Sequence, residues 1–148
     1  GDAPILGDMN AASPPLLSAD ELMRLALQAD RGQPCPACAA LVCPGWESLP
    51  AGSDTSSLER VGTLVQPAGS GRLDDNGDPT LSEYHPHGSH AWSADAPIAP
   101  DWFPYNRCDV WRCRRCARAY LRYTEFGGYY VDERIRALDP TCIDNTAP

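Results

Sequence analysis

The sequence predicts an α+β fold: one N-terminal helix and a small antiparallel sheet of three to five strands, clamped by a metal and joined by long irregular loops. Three observations predict it. Cys35-Pro-Ala-Cys38 and Cys113-Arg-Arg-Cys116 supply four thiolates from opposite ends of the chain, enough for the tetrahedral four-sulfur shell that zinc takes in structural sites. Ser18 and Glu21 form the S-x-x-E signature of a capped helix start. The C-terminal third is dense in strand formers and is broken by a Phe126-Gly127-Gly128 turn.

Size and composition set the frame. At 148 residues the chain is read as a single domain over 18–148, preceded by an irregular arm over 1–17 and carrying a long insertion, about 44–107, between the cysteine pairs. Apolar residues make up 43% and charged residues 22%, ordinary values for a globular protein. Proline, with 15 residues, is in excess and predicts irregular connections. Lysine is absent, so every basic side chain is arginine. A net charge of −8 opposes unspecific attraction to nucleic acid or anionic membrane over the whole surface. No apolar run approaches membrane-spanning length. Paired cysteines at knuckle spacing favour metal over disulfides, and a cytoplasmic location is expected on that ground.

The elements follow in order. The arm, GDAPILGDMNAASPPLL, has no periodicity. Leu22, Leu25, Ala26 and Ala29 place an apolar stripe on a helix over about 19–31, which Gly32 and Pro34 end. Ala39 to Cys43 is a short apolar run and reads as a strand; residues 47–58 read as loop. Arg60 to Val65 is a second strand candidate despite Gly62, and turn residues dominate from Pro67 to Pro100. Val110-Trp111-Arg112 enters the second knuckle, and Ala117–Glu125 leaves it as a strand that returns through Tyr129–Arg136. A two-residue turn at Gly127-Gly128 would set Arg122 opposite Glu133, Thr124 opposite Val131 and Tyr120 opposite Ile135. Asp132–Leu138 also suits a helix. The tail after Pro140 is expected to fray.

Around Cys35, Cys38, Cys113 and Cys116 the chain resembles the zinc-ribbon and rubredoxin-like knuckle module. The likeness covers about 30 residues and departs from the common pattern in the length of chain between the knuckles. It implies a structural Zn2+ site without an open coordination position, so catalysis is not expected there. Cys43 follows Cys38 by five residues and Cys108 precedes Cys113 by five; both are read as small buried residues in preference to extra ligands or a disulfide. Cys142 is read as a bystander.

Three other stretches carry chemistry. His85, His87 and His90 have the donor types of a second, catalytic metal site. They lie on a Pro/Gly-rich loop, and ordinary hydrogen bonding is the preferred reading. The aromatics of 96–107, with Trp92 and Trp111, either pack over the core or line a recognition groove. Arg112, Arg114, Arg115 and Arg118, interleaved with Trp111 and Tyr120, have the makings of a nucleic-acid surface; offsetting the charge of four thiolates is the stronger role. The sequence thus predicts a zinc-binding, non-catalytic module whose partner is another protein, with no membrane partner. A metal-dependent enzyme using the histidine loop and a nucleic-acid binder using the arginines are the alternatives.

Overall fold

The computed structural model describes residues 14–29, 35–42, 45–50, 52–66, 80–86, 89, 92–126 and 129–145. Its frame is a five-stranded antiparallel sheet in the order β1-β5-β4-β3-β2, with β1 at Glu47–Ser48, β2 at Leu58–Thr63, β3 at Asp109–Cys113, β4 at Ala119–Phe126 and β5 at Val131–Ala137. Among the described residues one α-helix, α1, spans Ala19–Gln28. The α+β expectation holds.

Helix α1 starts where Ser18 and Glu21 say it should. The Ser18 hydroxyl accepts from the Glu21 backbone N–H at 3.2 Å, and the Glu21 carboxylate accepts from the Ser18 N–H at 3.0 Å. The Ser18 backbone N–H and then its hydroxyl hold the Glu21 carboxyl below its ordinary pKa. That stabilisation is present above the ordinary carboxylate range and fades as pH falls through the lowered value. Replacing Ser18 with alanine is expected to cost about 1 kcal/mol, read as a lower urea midpoint with unchanged slope. The helix stops at Gln28, earlier than expected, because Ala29 is already extended (φ −70°, ψ 139°).

Residues alternate between the two faces of the sheet, and each face has its own core. On one, Leu22 and Ala26 of α1 pack with Val110, Leu121, Tyr123, Ile98 and Trp46. On the other, Leu58, Tyr120 and Ile135 pack against Leu41 and the cysteines. Gly62 permits the approach of the N-terminal segment to β2: a Cβ there would lie 2.6 Å from Leu17 Cγ. The strand bulges between Arg60 and Gly62, and Leu17 N–H donates to the Thr63 carbonyl at 3.0 Å.

Several expectations are corrected. Residues 39–41 form a 3-10 turn, since Ala39 N–H bonds the Cys35 carbonyl and Leu41 N–H that of Cys38; the chain keeps winding to present both sulfurs. The 47–58 loop contains β1, which pairs Glu47 with Ile135. In the β4–β5 hairpin, Arg122 faces Ile135, Thr124 faces Glu133 and Tyr120 faces Ala137. The register is displaced by two residues because the strands end at Phe126 and Val131, leaving a four-residue connection. An even displacement keeps each side chain on its predicted face. In this register Thr124 donates to Glu133 at 2.7 Å, and Arg134 reaches Tyr123 and Glu125. Residues 132–137 are strand rather than helix. The tail is docked: Ile98 N–H bonds the Cys142 carbonyl and Asp144 N–H bonds the Ile98 carbonyl. Cys142 lies partly buried against the core.

Candidate metal centre

The first knuckle follows the α1 end of the chain, and the second is the turn from β3 to β4. Arg118 holds that turn closed, its carbonyl accepting from Cys113 N–H at 2.9 Å. Ala117 takes the left-handed conformation (φ 63°) that reverses the chain, and its N–H bonds the Cys113 carbonyl at 3.0 Å. The β3 and β2 strands anchor the knuckle from below, with Cys113 paired to Leu58.

Cys35, Cys38, Cys113 and Cys116 come together there and can hold a metal ion: their sulfurs all lie within 4.8 Å of one another. The Cys35–Cys113 separation is 3.9 Å and the Cys38–Cys116 separation 3.6 Å. Four metal–sulfur bonds of about 2.3 Å in a tetrahedron require sulfur–sulfur edges near 3.8 Å, whereas a disulfide needs about 2.05 Å. The cage is therefore spaced for a metal and not for oxidation. Cys35, Cys38 and Cys113 are buried and Cys116 is partly exposed. Tyr120, fully buried on the sheet, donates to the Cys38 carbonyl at 3.4 Å, and Arg118 N–H points at the Cys116 sulfur at 3.5 Å.

The thiols are electrostatically unequal. Burial pushes Cys38 up to about 12 and also raises Cys116. Burial opposes ionisation of Cys113 as well, but the backbone N–H groups of Cys116 and Arg115, with donation from neighbouring thiols, bring it down to about 6. Without metal, burial therefore keeps Cys38 and Cys116 protonated at neutral pH, and Cys113 is the thiol that ionises more readily. A metal that binds thiolates must displace at least those two protons. Its apparent affinity is expected to fall by at least about 100-fold per pH unit as pH drops from 7 towards 6. Competition titration with a chromophoric chelator at the two pH values measures this, and a slope near zero would contradict the thiol assignment.

The remaining candidates are placed as follows. His85 bonds Glu83 at 2.8 Å; His87 and His90 lie outside the described residues. Among the described residues, the four cysteines are the one grouping of three or more metal-ligating side chains. Cys108 is fully buried, its thiol donating to the Pro104 carbonyl at 3.4 Å; Cys43 lies outside the described residues. The arginine face is engaged: Arg112 and Arg114 both bond Glu59 at 3.3 Å, and Arg114 also bonds the Ser56 carbonyl. Tyr120 cannot stack on a base because it is 0% exposed. Trp111 is covered by the Arg122 guanidinium, 4.5 Å from its ring centre.

The Pro-aromatic stretch is divided. Ile98, Ala99 and Tyr105 are core, while Trp102 stacks on Tyr84 at 5.4 Å. Phe103 lies beside Tyr123 and faces a groove of about 620 Å³. Sequence reasoning missed the hairpin end: Phe126, Tyr129, Tyr130 and Val131 are all exposed. Four large apolar residues flanking Gly127-Gly128 in the sequence are a signal that strand assignment alone does not use. No helix among the described residues is long and apolar enough to cross a membrane. Compared with known protein families, curated proteins and solved structures, the chain finds no match.

Proposed function

We propose that the protein is a zinc-stabilised, non-catalytic module that binds another protein. The observation that carries the zinc assignment is the sulfur spacing, 3.6–3.9 Å across two knuckles brought together from opposite ends of the chain. Cys35, Cys38, Cys113 and Cys116 would fill all four positions of a tetrahedral ion, leaving none for water or substrate. Bound zinc would supply cross-linking; the chain's own residues shape the cage, bury it and neutralise part of its charge. Arg112, Arg114, Arg115 and Arg118, beside the second knuckle, fit that last role. Free thiols at a metal cage suit a reducing compartment, and a cytoplasmic location is proposed on that basis.

The protein-binding part of the proposal is supported by the apolar hairpin end. Phe126 is 74% exposed and Val131 65%, with Tyr129 and Tyr130 between them. Contiguous large apolar residues on a small surface mark an interaction site.

Elemental analysis of the purified protein is expected to return one zinc per chain, with a colourless solution excluding iron. A second zinc that disappears when His85, His87 and His90 are replaced together by alanine, while the first remains, would replace the module by a metal-dependent enzyme.

A further inference from the structure

The sheet has an internal free edge. Strand β3 pairs with β4 only as far as Asp109 opposite Arg122, after which the chain leaves the sheet through the 3-10 turn Tyr105–Arg107. Strand β4 continues to Phe126, paired on its other side with β5. Which groups this strands follows from the alternation of an antiparallel ladder. Leu138 N–H bonds the Ala119 carbonyl, so odd-numbered residues of β4 direct their backbone groups to β5. Cys113 N–H bonds the Arg118 carbonyl, so even-numbered residues direct theirs towards β3. Thr124 and Phe126 therefore present N–H and C=O groups where β3 has departed, and no described residue supplies a backbone partner.

The groove of about 620 Å³ lies at this place. Its walls include Phe103, Trp111 and Tyr123, and its rim carries Val65, Leu81 and Phe126, which are 44%, 62% and 74% exposed. The charges around it are paired. Asp109 is held by Arg60, and Arg134 is shared by Glu125 and Asp132. With Glu133 these make four carboxylates, against the four guanidiniums of Arg60, Arg134, Arg107 and Arg122. The groove is thus neutral in a chain of net charge −8. Arg122 lies flat on Trp111, with Nε buried and lacking a hydrogen-bond partner.

We propose that this groove takes up an extended segment of a partner protein, which adds to the free edge of β4 at Thr124–Phe126 as a further strand. The segment has alternating apolar residues and an acidic side chain positioned at Arg122. The proposal deepens the interaction-module reading and rests on it. Main-chain bonds to Thr124 and Phe126 give the attachment, and the aromatic walls select side chains at alternate positions. A second copy of the chain is a poorer occupant, bringing its own net charge of −8 and a further Arg122.

The test uses the full, zinc-loaded chain, immobilised and panned against a displayed library of random dodecapeptides. Enriched sequences are expected to alternate apolar residues and to carry Asp or Glu; fluorescence anisotropy then measures a synthetic copy. Thr124→Pro removes an N–H only on the open side, which an edge strand tolerates. It is expected to weaken binding about tenfold or more, with zinc content unchanged and the melting temperature lowered by only a few degrees through loss of the exposed Thr124–Glu133 bond. Arg122→Gln is expected to weaken the acidic peptide and to leave its amide counterpart unaffected. Should Thr124→Pro fail to fold, Phe126→Asp on the exposed rim is expected to give the same loss. The proposal is overturned if no peptide is enriched. It is also overturned if the folded variants bind as tightly as the parent, or if light scattering shows a dimer that Phe126→Asp abolishes. Absence of zinc from the purified protein would instead overturn the module reading, so the two failures are distinguishable.

Discussion

Replacing Cys113 with serine is expected to abolish stoichiometric zinc and to unfold the protein. Cys113 belongs to β3 as well as to the cage, and with Cys38 it spans residues 39–112. Closing a loop of that length costs about 4 kcal/mol of chain entropy. Structural zinc returns about 10–16 kcal/mol at neutral pH, as much as the whole net stability of a domain, about 5–15 kcal/mol. The metal prevails, and its loss cannot be absorbed by the two apolar cores. Exhaustive chelation should therefore act like the mutation: far-UV circular dichroism collapses and amide exchange protection disappears. Cys142→Ser is the control, since the Cys142 thiol bonds the Ala94 carbonyl and Thr141 Oγ1, away from the cage; this variant should keep its zinc. Metal-free protein that melts at the same temperature as the loaded form would show that the cage is not what holds the ends together.

The second large effect concerns Arg136, whose side chain is fully buried in the α1-facing core. Its guanidinium donates to Tyr105 Oη at 2.5 Å and to the carbonyls of Ala96 at 2.7 Å and Ala94 at 3.3 Å. It thereby fastens the 94–96 segment to β5. Two effects compete in Arg136→Met. Removing a desolvated cation is favourable, but the buried Ala96 carbonyl loses its donor, at about 1–3 kcal/mol for a group left buried and unpaired; the Ala94 carbonyl, on an exposed residue, keeps the Cys142 thiol. The Ala96 carbonyl is fixed by the surrounding chain and Tyr105 Oη loses a donor with it, so these losses are taken to dominate, with a net destabilisation of about 2 kcal/mol. For a chain of this size that lowers the melting temperature by about 6 °C. Tyr105→Phe removes only one acceptor and should cost about 1 kcal/mol. Urea unfolding of the zinc-loaded variants measures both. Arg136→Met at or above parental stability would mean that desolvating the guanidinium costs more than its hydrogen bonds return.

Arg136 also shows where one-dimensional reading runs out. It alternates correctly with Ile135 along β5, and its position opposite Leu121 puts it on the helix-facing side. Nothing local says that a charged residue there will be enclosed, because its acceptors are backbone carbonyls some 40 residues away. Trp46 gives no sequence signal for a related reason. A single aromatic after Pro44-Gly45 has no period, yet it is 4% exposed and packs edge-on against Tyr123, with ring centres 5.0 Å apart.

Local chemistry determined a good deal. Ser18 and Glu21 specified the helix start because the capping bonds span three residues and need no tertiary help. The two C-x-x-C pairs specified a metal-competent donor set, since thiolates at that spacing on tight turns have few other uses. Strand formers on either side of Gly127-Gly128 specified two antiparallel strands, which the structure has at Ala119–Phe126 and Val131–Ala137. Register, the turn at 39–41, the docking of the tail and the free edge at Thr124–Phe126 were decided only by the tertiary structure. Each depends on where one segment stops relative to another: β3 yields to a 3-10 turn while β4 runs on, and neither strand's sequence contains the other's end. The sequence by itself named the clamp. The packed sheet decided which backbone groups were left open beside it.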